Sequence, residues 1–153
     1  MNPTRASINP DHENSDQRDR AIAYLLFRVF VGVNIALHGI SRLAAGAATF
    51  QGEVKKQFAH APLPHAAVAL FALVLPWAEA LVGLLILAGL FTRIALIGGA
   101  LLMIVLTFGT SLVQDWQIAG VQLIYAIAYL LLLCLLSHNR WSIDAVLQRR
   151  GST

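Results

Sequence analysis

The chain has 153 residues, of which 58% are hydrophobic and only 12% charged, and its mean hydropathy is +0.67. A soluble domain is about 45–50% apolar and about 25% charged, so the composition indicates an integral membrane protein. The net charge of +3 comes without a basic stripe carrying interleaved aromatic residues, which excludes nucleic acid as a partner. The single cysteine, Cys134, excludes an intrachain disulfide and a cysteine-based metal site.

Four segments are long and apolar enough to cross a bilayer, which takes about 20 residues of helix. The spans are predicted at about 21–40, 66–90, 94–112 and 118–137, within a transmembrane domain covering residues 20–137. Residues 1–19 are polar and are expected to form a flexible tail, and residues 138–153 a cytoplasmic C-terminal tail. The predicted fold is all-α: a four-transmembrane-helix bundle embedded in lipid.

The connection between the first two spans is long enough to hold structure of its own. Phe50, Val54 and Phe58 recur in it at helical spacing, while Lys55 and Lys56 point away from them. This pattern favours either a short helix on the membrane interface or over the bundle, or a packed loop.

Basic residues flank the spans unequally. The side that would hold both termini carries Arg5, Arg18, Arg20, Arg93, Arg140, Arg149 and Arg150, and the other side carries Arg42, Lys55 and Lys56. Because positive charge accumulates on the cytoplasmic side, both termini are expected to face the cytoplasm.

Two charged residues lie inside otherwise apolar spans: Arg28 in the first and Glu79 in the second. Each costs about 2.5–3.5 kcal/mol at the centre of a bilayer. Counting the helical rise from the cytoplasmic edges puts Arg28 about 10 Å and Glu79 about 16 Å deep, within reach of each other. The sequence therefore predicts an Arg28–Glu79 ion pair, either as an interhelical staple or as part of a proton, anion or quinone site.

The first span presents further candidates for a buried polar site. Arg28, Gly32, Ile35, Gly39 and Arg42 form one stripe, which is expected to face the bundle interior. On an adjacent face, Asn34 and His38 lie four residues apart. His38 is interpreted either as a hydrogen-bonded packing residue or as a group that titrates at a substrate or quinone site.

The other spans contribute polar and aromatic side chains that either hydrogen-bond between helices or line a pocket. Pro76 can kink the second span beside Glu79, and Gln122, Tyr125 and Tyr129 share one face of the fourth span. The candidate lining residues are Asn34, Trp77, Trp116, Gln122 and Tyr125. No metal-binding or flavin motif is present. A haem is not expected, because the only histidine within a span is His38.

Five short sequence motifs, taken together, are specific enough to compare the chain with known families. They are HGISR at 38–42, PWAE at 76–79, GLFTR at 89–93, DWQIAGVQL at 115–123 and RWSIDA at 140–145. Together with Arg28 and Gly32 they resemble the DoxX family, and its DoxD-type members most, over about residues 25–147. One departure is Arg42, where the family usually has lysine; this keeps the charge and changes the hydrogen-bond geometry.

The resemblance implies a four-helix bundle in the bacterial plasma (inner) membrane, with Arg28, His38, Arg42 and Glu79 as candidate site residues. Some relatives are subunits of thiosulfate:quinone oxidoreductase, and others are linked to membrane redox complexes. It thus implies a membrane subunit or accessory of a quinone-linked, thiosulfate-oxidising complex, with quinone as ligand and a redox subunit or a second copy of the chain as partner. The alternative is a non-enzymatic anchor, assembly factor or small-solute carrier, with the Arg28–Glu79 pair as a structural staple.

Overall fold

The computed structural model describes residues 10–151 of the chain, and within them it is helical with no strand. The long helices are α1 (Pro10–Ala44), α3 (His65–Ala88), α4 (Thr92–Leu112) and α5 (Trp116–Cys134). Two shorter α-helices, α2 (Ala47–Gln57) and α6 (Ile143–Arg150), and a 3-10 turn at Leu136–His138 complete the described chain. All four long helices are long and apolar enough to span a membrane, which confirms the predicted four-span, all-α fold.

The bundle is built from two closely packed pairs of helices. Helix α1 packs mainly on α3, and α4 packs mainly on α5; the pairs meet along α3–α4 and, less extensively, along α1–α5. Helix α2 lies on α3 at the end of the bundle away from the termini. There Val54 is buried with Val68 and Ala72, so the predicted connection is a helix rather than an irregular loop.

Small residues set the distance between α1 and α3. A Cβ added to Gly39 would overlap the backbone of Pro76 and Ala80, and one added to Gly83 would overlap Ala36. Since lipid supplies no hydrophobic force that drives helices together, such close backbone contact is a main source of affinity between membrane helices. These contacts fix the register of α1 against α3.

Helix α1 is longer than the sequence predicted. It begins at Pro10, whereas the sequence predicted a flexible tail over residues 1–19; residues 1–9 lie outside the described part of the chain. Proline is well suited to the first turn of a helix, where no N–H partner is needed, and the acidic Glu13 favours a helix N-terminus. The extension also contacts the C-terminal segment, where Arg140 Nη2 donates to Gln17 Oε1 at 2.7 Å.

The C-terminal segment closes the end of the bundle that holds both termini. The two carboxylate oxygens of Asp144 accept the backbone N–H groups of Phe91 and Thr92, each at 2.8 Å. These groups start α4, so Asp144 caps it from a distant part of the chain. Burial alone would raise the pKa of Asp144, but these hydrogen bonds and the charge of Arg28 outweigh it and hold the pKa below its ordinary value. The side of the membrane on which this end lies remains a prediction.

Candidate functional site

Arg28 belongs to this closed end of the bundle and does not contact Glu79. Its side chain is 2% exposed. Nη1 donates to the backbone carbonyl of Ile86 at 2.8 Å and to that of Leu87 at 3.3 Å, and Nη2 donates to the carbonyl of Trp141 at 2.9 Å. The predicted Arg28–Glu79 pair, and with it the staple formed by these two residues, is wrong. Arg28 instead joins α1 to the last turn of α3 and to the C-terminal segment.

The Arg28–Glu79 prediction failed because it assumed the wrong register between the first two spans. Taking Ala21 and Leu90 as level edges places Ala36 opposite Leu75, whereas in the structure Ala36 packs against Gly83. The difference is eight residues, or about 12 Å along the axis. It arises because α1 extends well beyond the end of α3 on the side of its N-terminus, so Ala21 does not lie level with the α3–α4 turn.

The partner of Glu79 is Arg42. Arg42 Nη1 donates to Glu79 Oε2, forming an ion pair between the last turn of α1 and the middle of α3. The Glu79 side chain is 2% exposed and that of Arg42 is 28% exposed. A carboxylate in the middle of a membrane helix requires such a counter-charge, because its desolvation is otherwise too costly. The guanidinium also lies over the ring of Phe50 on α2, 4.8 Å from the ring centre.

A cavity of about 140 Å³, here called the polar cavity, surrounds this ion pair. Its polar lining comes from three helices and includes Asn34, His38, Arg42, Glu79, Gln122 and Tyr125. The sequence had named all six as site or lining candidates, and the fold brings them together. His38 Nδ1 lies 2.9 Å from the backbone carbonyl of Asn34. Because a carbonyl only accepts, Nδ1 is the donor in this contact, and Nε2 is the ring nitrogen left for another partner.

A second cavity of about 310 Å³, here called the apolar cavity, lies beside the first, among α2, α3, α4 and the start of α5. Its walls are mostly apolar. Arg42, Leu106, Ile118 and Gln122 border both cavities. At this junction Gln122 Oε1 accepts a hydrogen bond from Thr110 Oγ1 at 2.9 Å. That bond leaves the two amide hydrogens of Gln122 as donors for a ligand.

Not every candidate lies at the site. Trp77 and Trp116 are 62% and 67% exposed and line neither of these two cavities, so their rings face outward, where interfacial or lipid contact suits them. Tyr129, which is 1% exposed, lines the polar cavity. Tyr129 shares one helix face with Gln122 and Tyr125, and this spacing already indicated that it could line the same pocket. The contact between Phe50 and Arg42 is tertiary, so the helical spacing of Phe50 alone could not predict it.

The arrangement can bind a small polar group and hold a proton close to it. Arg42 and Gln122 supply hydrogen-bond donors, and His38 and Glu79 supply proton acceptors, all around one cavity inside a membrane bundle. A polar cavity next to an apolar one suits a ligand with both kinds of surface, because most ligand sites combine apolar walls with a few placed polar groups.

The fold and the site thus define a four-helix integral membrane protein with an ion pair inside a cavity. The family model described as DoxX matches residues 23–112, more than half of the chain. The chain therefore belongs to the DoxX family. No curated protein and no solved structure matches it. The matched segment contains His38, Arg42 and Glu79 but ends before α5, which supplies Gln122 and Tyr125 to the polar cavity.

Proposed function

We propose that this protein is the membrane subunit of a redox complex and binds a quinone in the polar cavity. The observation that carries the proposal is the Arg42–Glu79 ion pair inside a cavity of about 140 Å³. An apolar cavity of about 150 Å³ is known to hold one benzene molecule, so a single six-membered ring is the right size of ligand. A quinone ring carries two carbonyl oxygens, which match hydrogen-bond donors on the cavity wall.

Arg42 is the side chain best suited to bind a quinone oxygen. One of its guanidinium nitrogens is engaged by Glu79, and the planar group has further N–H donors in fixed directions. Hydrogen bonds from a charged donor strengthen as negative charge develops on the acceptor oxygen during reduction. The Gln122 amide is a second donor at the junction of the cavities.

Reduction of a quinone to a quinol takes two electrons and two protons. The electrons would come from a partner subunit that carries the redox centre, with thiosulfate as the donor substrate that the DoxD-type resemblance implies. His38, exposed at the edge of the polar cavity, is placed to pass protons toward a bound ring through Nε2. Glu79, which lies beside Arg42 in the polar cavity, would take up the second proton from the cavity and pass it to the ring in the same way.

The test is the quinone content of the protein extracted from its own membranes in mild detergent, measured by mass spectrometry. The informative variant is the double substitution Arg42→Gln with Glu79→Gln, because it removes both charges and leaves neither partner stranded. Arg93→Gln is the matched control, since Arg93 is an exposed arginine at the other end of the bundle. We expect wild type and control to retain quinone, and the double variant to lose it by about tenfold or more.

Two outcomes would contradict the proposal. One is that the wild-type protein carries only lipid. The other is that the double variant folds and binds as much quinone as wild type. Either result would favour the non-enzymatic alternative, in which the bundle is an anchor, an assembly factor or a small-solute carrier.

A further inference from the structure

We infer that the apolar cavity holds the hydrocarbon tail of the same molecule whose ring lies in the polar cavity, so that the two cavities form one site for a tailed, lipid-soluble quinone. This inference rests on the proposed function and adds to it the class of quinone and its path of entry.

The two cavities share a wall rather than lying in separate parts of the bundle. Arg42, Leu106, Ile118 and Gln122 border both of them. A molecule bound across this junction would place one end beside the ion pair and the other end between α2 and α4. The site therefore has a direction, from polar to apolar.

The walls of the apolar cavity change in character along that direction. Its two polar residues shared with the polar cavity, Arg42 and Gln122, lie at the junction. Away from the junction the lining includes Phe58, Leu63 and Phe71. Two further polar residues line the wall: Thr110, whose hydroxyl already donates within the protein, and Gln57, which lies on α2 and is exposed. A plain hydrocarbon chain satisfies such a surface, whereas a polar substituent would lose its hydration without gaining partners.

The part of the cavity rim formed by α4 is apolar and exposed. Val105 and Phe108 on α4 line it and are 49% and 60% exposed, on a helix long and apolar enough to span the bilayer. An apolar molecule dissolved in lipid could therefore enter sideways between α3 and α4. Helix α2, held on α3 by Val54, covers the cavity at the end of the bundle.

The size of the apolar cavity favours one chain over two. At about 310 Å³ it lies at the small end of the range for ligand sites, about 300–1,000 Å³. A two-chain phospholipid is the competing occupant that the test must exclude.

The test compares the binding of two benzoquinones that have the same ring, one with an isoprenoid tail and one without, to the purified full-length protein by calorimetry. The readout is the ratio of the two dissociation constants. Tail partitioning into the detergent is common to all variants, so only changes in this ratio between variants report on the cavity.

Two bulky substitutions fill the apolar cavity from opposite walls: Ala67→Trp on α3 and Val105→Trp on α4. Both residues line the cavity and are exposed at it, so a larger side chain need not disturb the core. The matched controls are Ala66→Trp and Ile104→Trp, exposed neighbours on the same helices that do not line the cavity.

We expect each cavity-filling variant to lower the preference for the tailed quinone by about tenfold, equivalent to about 1.4 kcal/mol, while tail-less binding and both controls stay at wild-type values. If both quinones bind but the ratio is the same in all five proteins, or if a copurified phospholipid occupies the cavity, the inference is overturned and the proposed function stands. If neither quinone binds the wild-type protein, both are overturned.

Discussion

Neutralising Arg42 and neutralising Glu79 should have unequal effects on stability. Arg42→Gln leaves a carboxylate that is 2% exposed without its counter-charge. Stranding one member of a buried pair costs about 3–5 kcal/mol, and because Arg42 is itself 28% exposed we expect the lower end, about 3 kcal/mol, after solvent screening. Glu79→Gln instead leaves an arginine that can turn toward solvent and keep its contact with Phe50. That change should cost about 1 kcal/mol.

The double variant should recover part of the loss. With both charges gone, two amides remain that can hydrogen-bond to each other, and we expect a total cost of about 1–2 kcal/mol. The thermodynamic cycle then gives a coupling between Arg42 and Glu79 of about 2–3 kcal/mol. The same cycle for Arg28 and Glu79 should give less than about 0.5 kcal/mol. Arg28 binds the carbonyl of Ile86, about 10 Å further along α3 than Glu79.

The measurement is the free energy of unfolding, obtained from titration with a denaturing detergent in mixed micelles and followed by circular dichroism. Arg93→Gln controls for the loss of an exposed arginine. Additive effects of the Arg42 and Glu79 substitutions would refute the ion pair, and coupling between Arg28 and Glu79 would refute the helix register described here.

Three further predictions concern the packing of the bundle. Arg28→Lys should lower the free energy of unfolding by about 2–3 kcal/mol, because one ammonium group cannot reach the carbonyls of α3 and of Trp141 together. If the folded Arg28→Lys protein lost as much bound quinone as the Arg42→Gln, Glu79→Gln double variant, this purely structural role of Arg28 would be contradicted. Asp144→Asn should cost about 1 kcal/mol through the lost cap of α4. Since the folded-state pKa of Asp144 is lowered, its contribution is complete at neutral pH and fades as pH falls through that pKa, so the melting temperatures of the two proteins should converge below about the ordinary value of 3.8. Gly39→Leu should destabilise by about 3 kcal/mol or more through overlap with the backbone of α3, whereas Gly120→Leu, at a glycine with open space beside it, should unfold as wild type does.

Local pattern accounts for most of the architecture and for the composition of the site. The length and apolar character of the four spans predicted four helices, because a bilayer forces each spanning segment to satisfy its own backbone. Helical periodicity put Gly32 and Gly39 on an inward stripe, and both are buried. The cost of a charge in lipid marked Glu79 as a residue in need of a partner.

The sequence pattern could not predict which arginine forms the ion pair with Glu79. Which arginine meets Glu79 depends on how far α1 slides along α3, and the apolar pattern of each helix is compatible with several such offsets. The offset was decided by backbone contacts between glycines of one helix and small residues of the other, and by an N-terminal extension of α1 whose polar sequence resembles a disordered tail. The separation of Arg28 from the polar cavity follows from this register alone.

The sequence by itself determined that the chain spans the membrane four times and which polar side chains are carried into the bilayer, because both follow from transfer free energies of individual residues. Only the tertiary structure decided which of those side chains meet and that the space around them divides into a polar and an apolar cavity. Those features depend on distances between helices, which are set by packing between residues far apart in the chain.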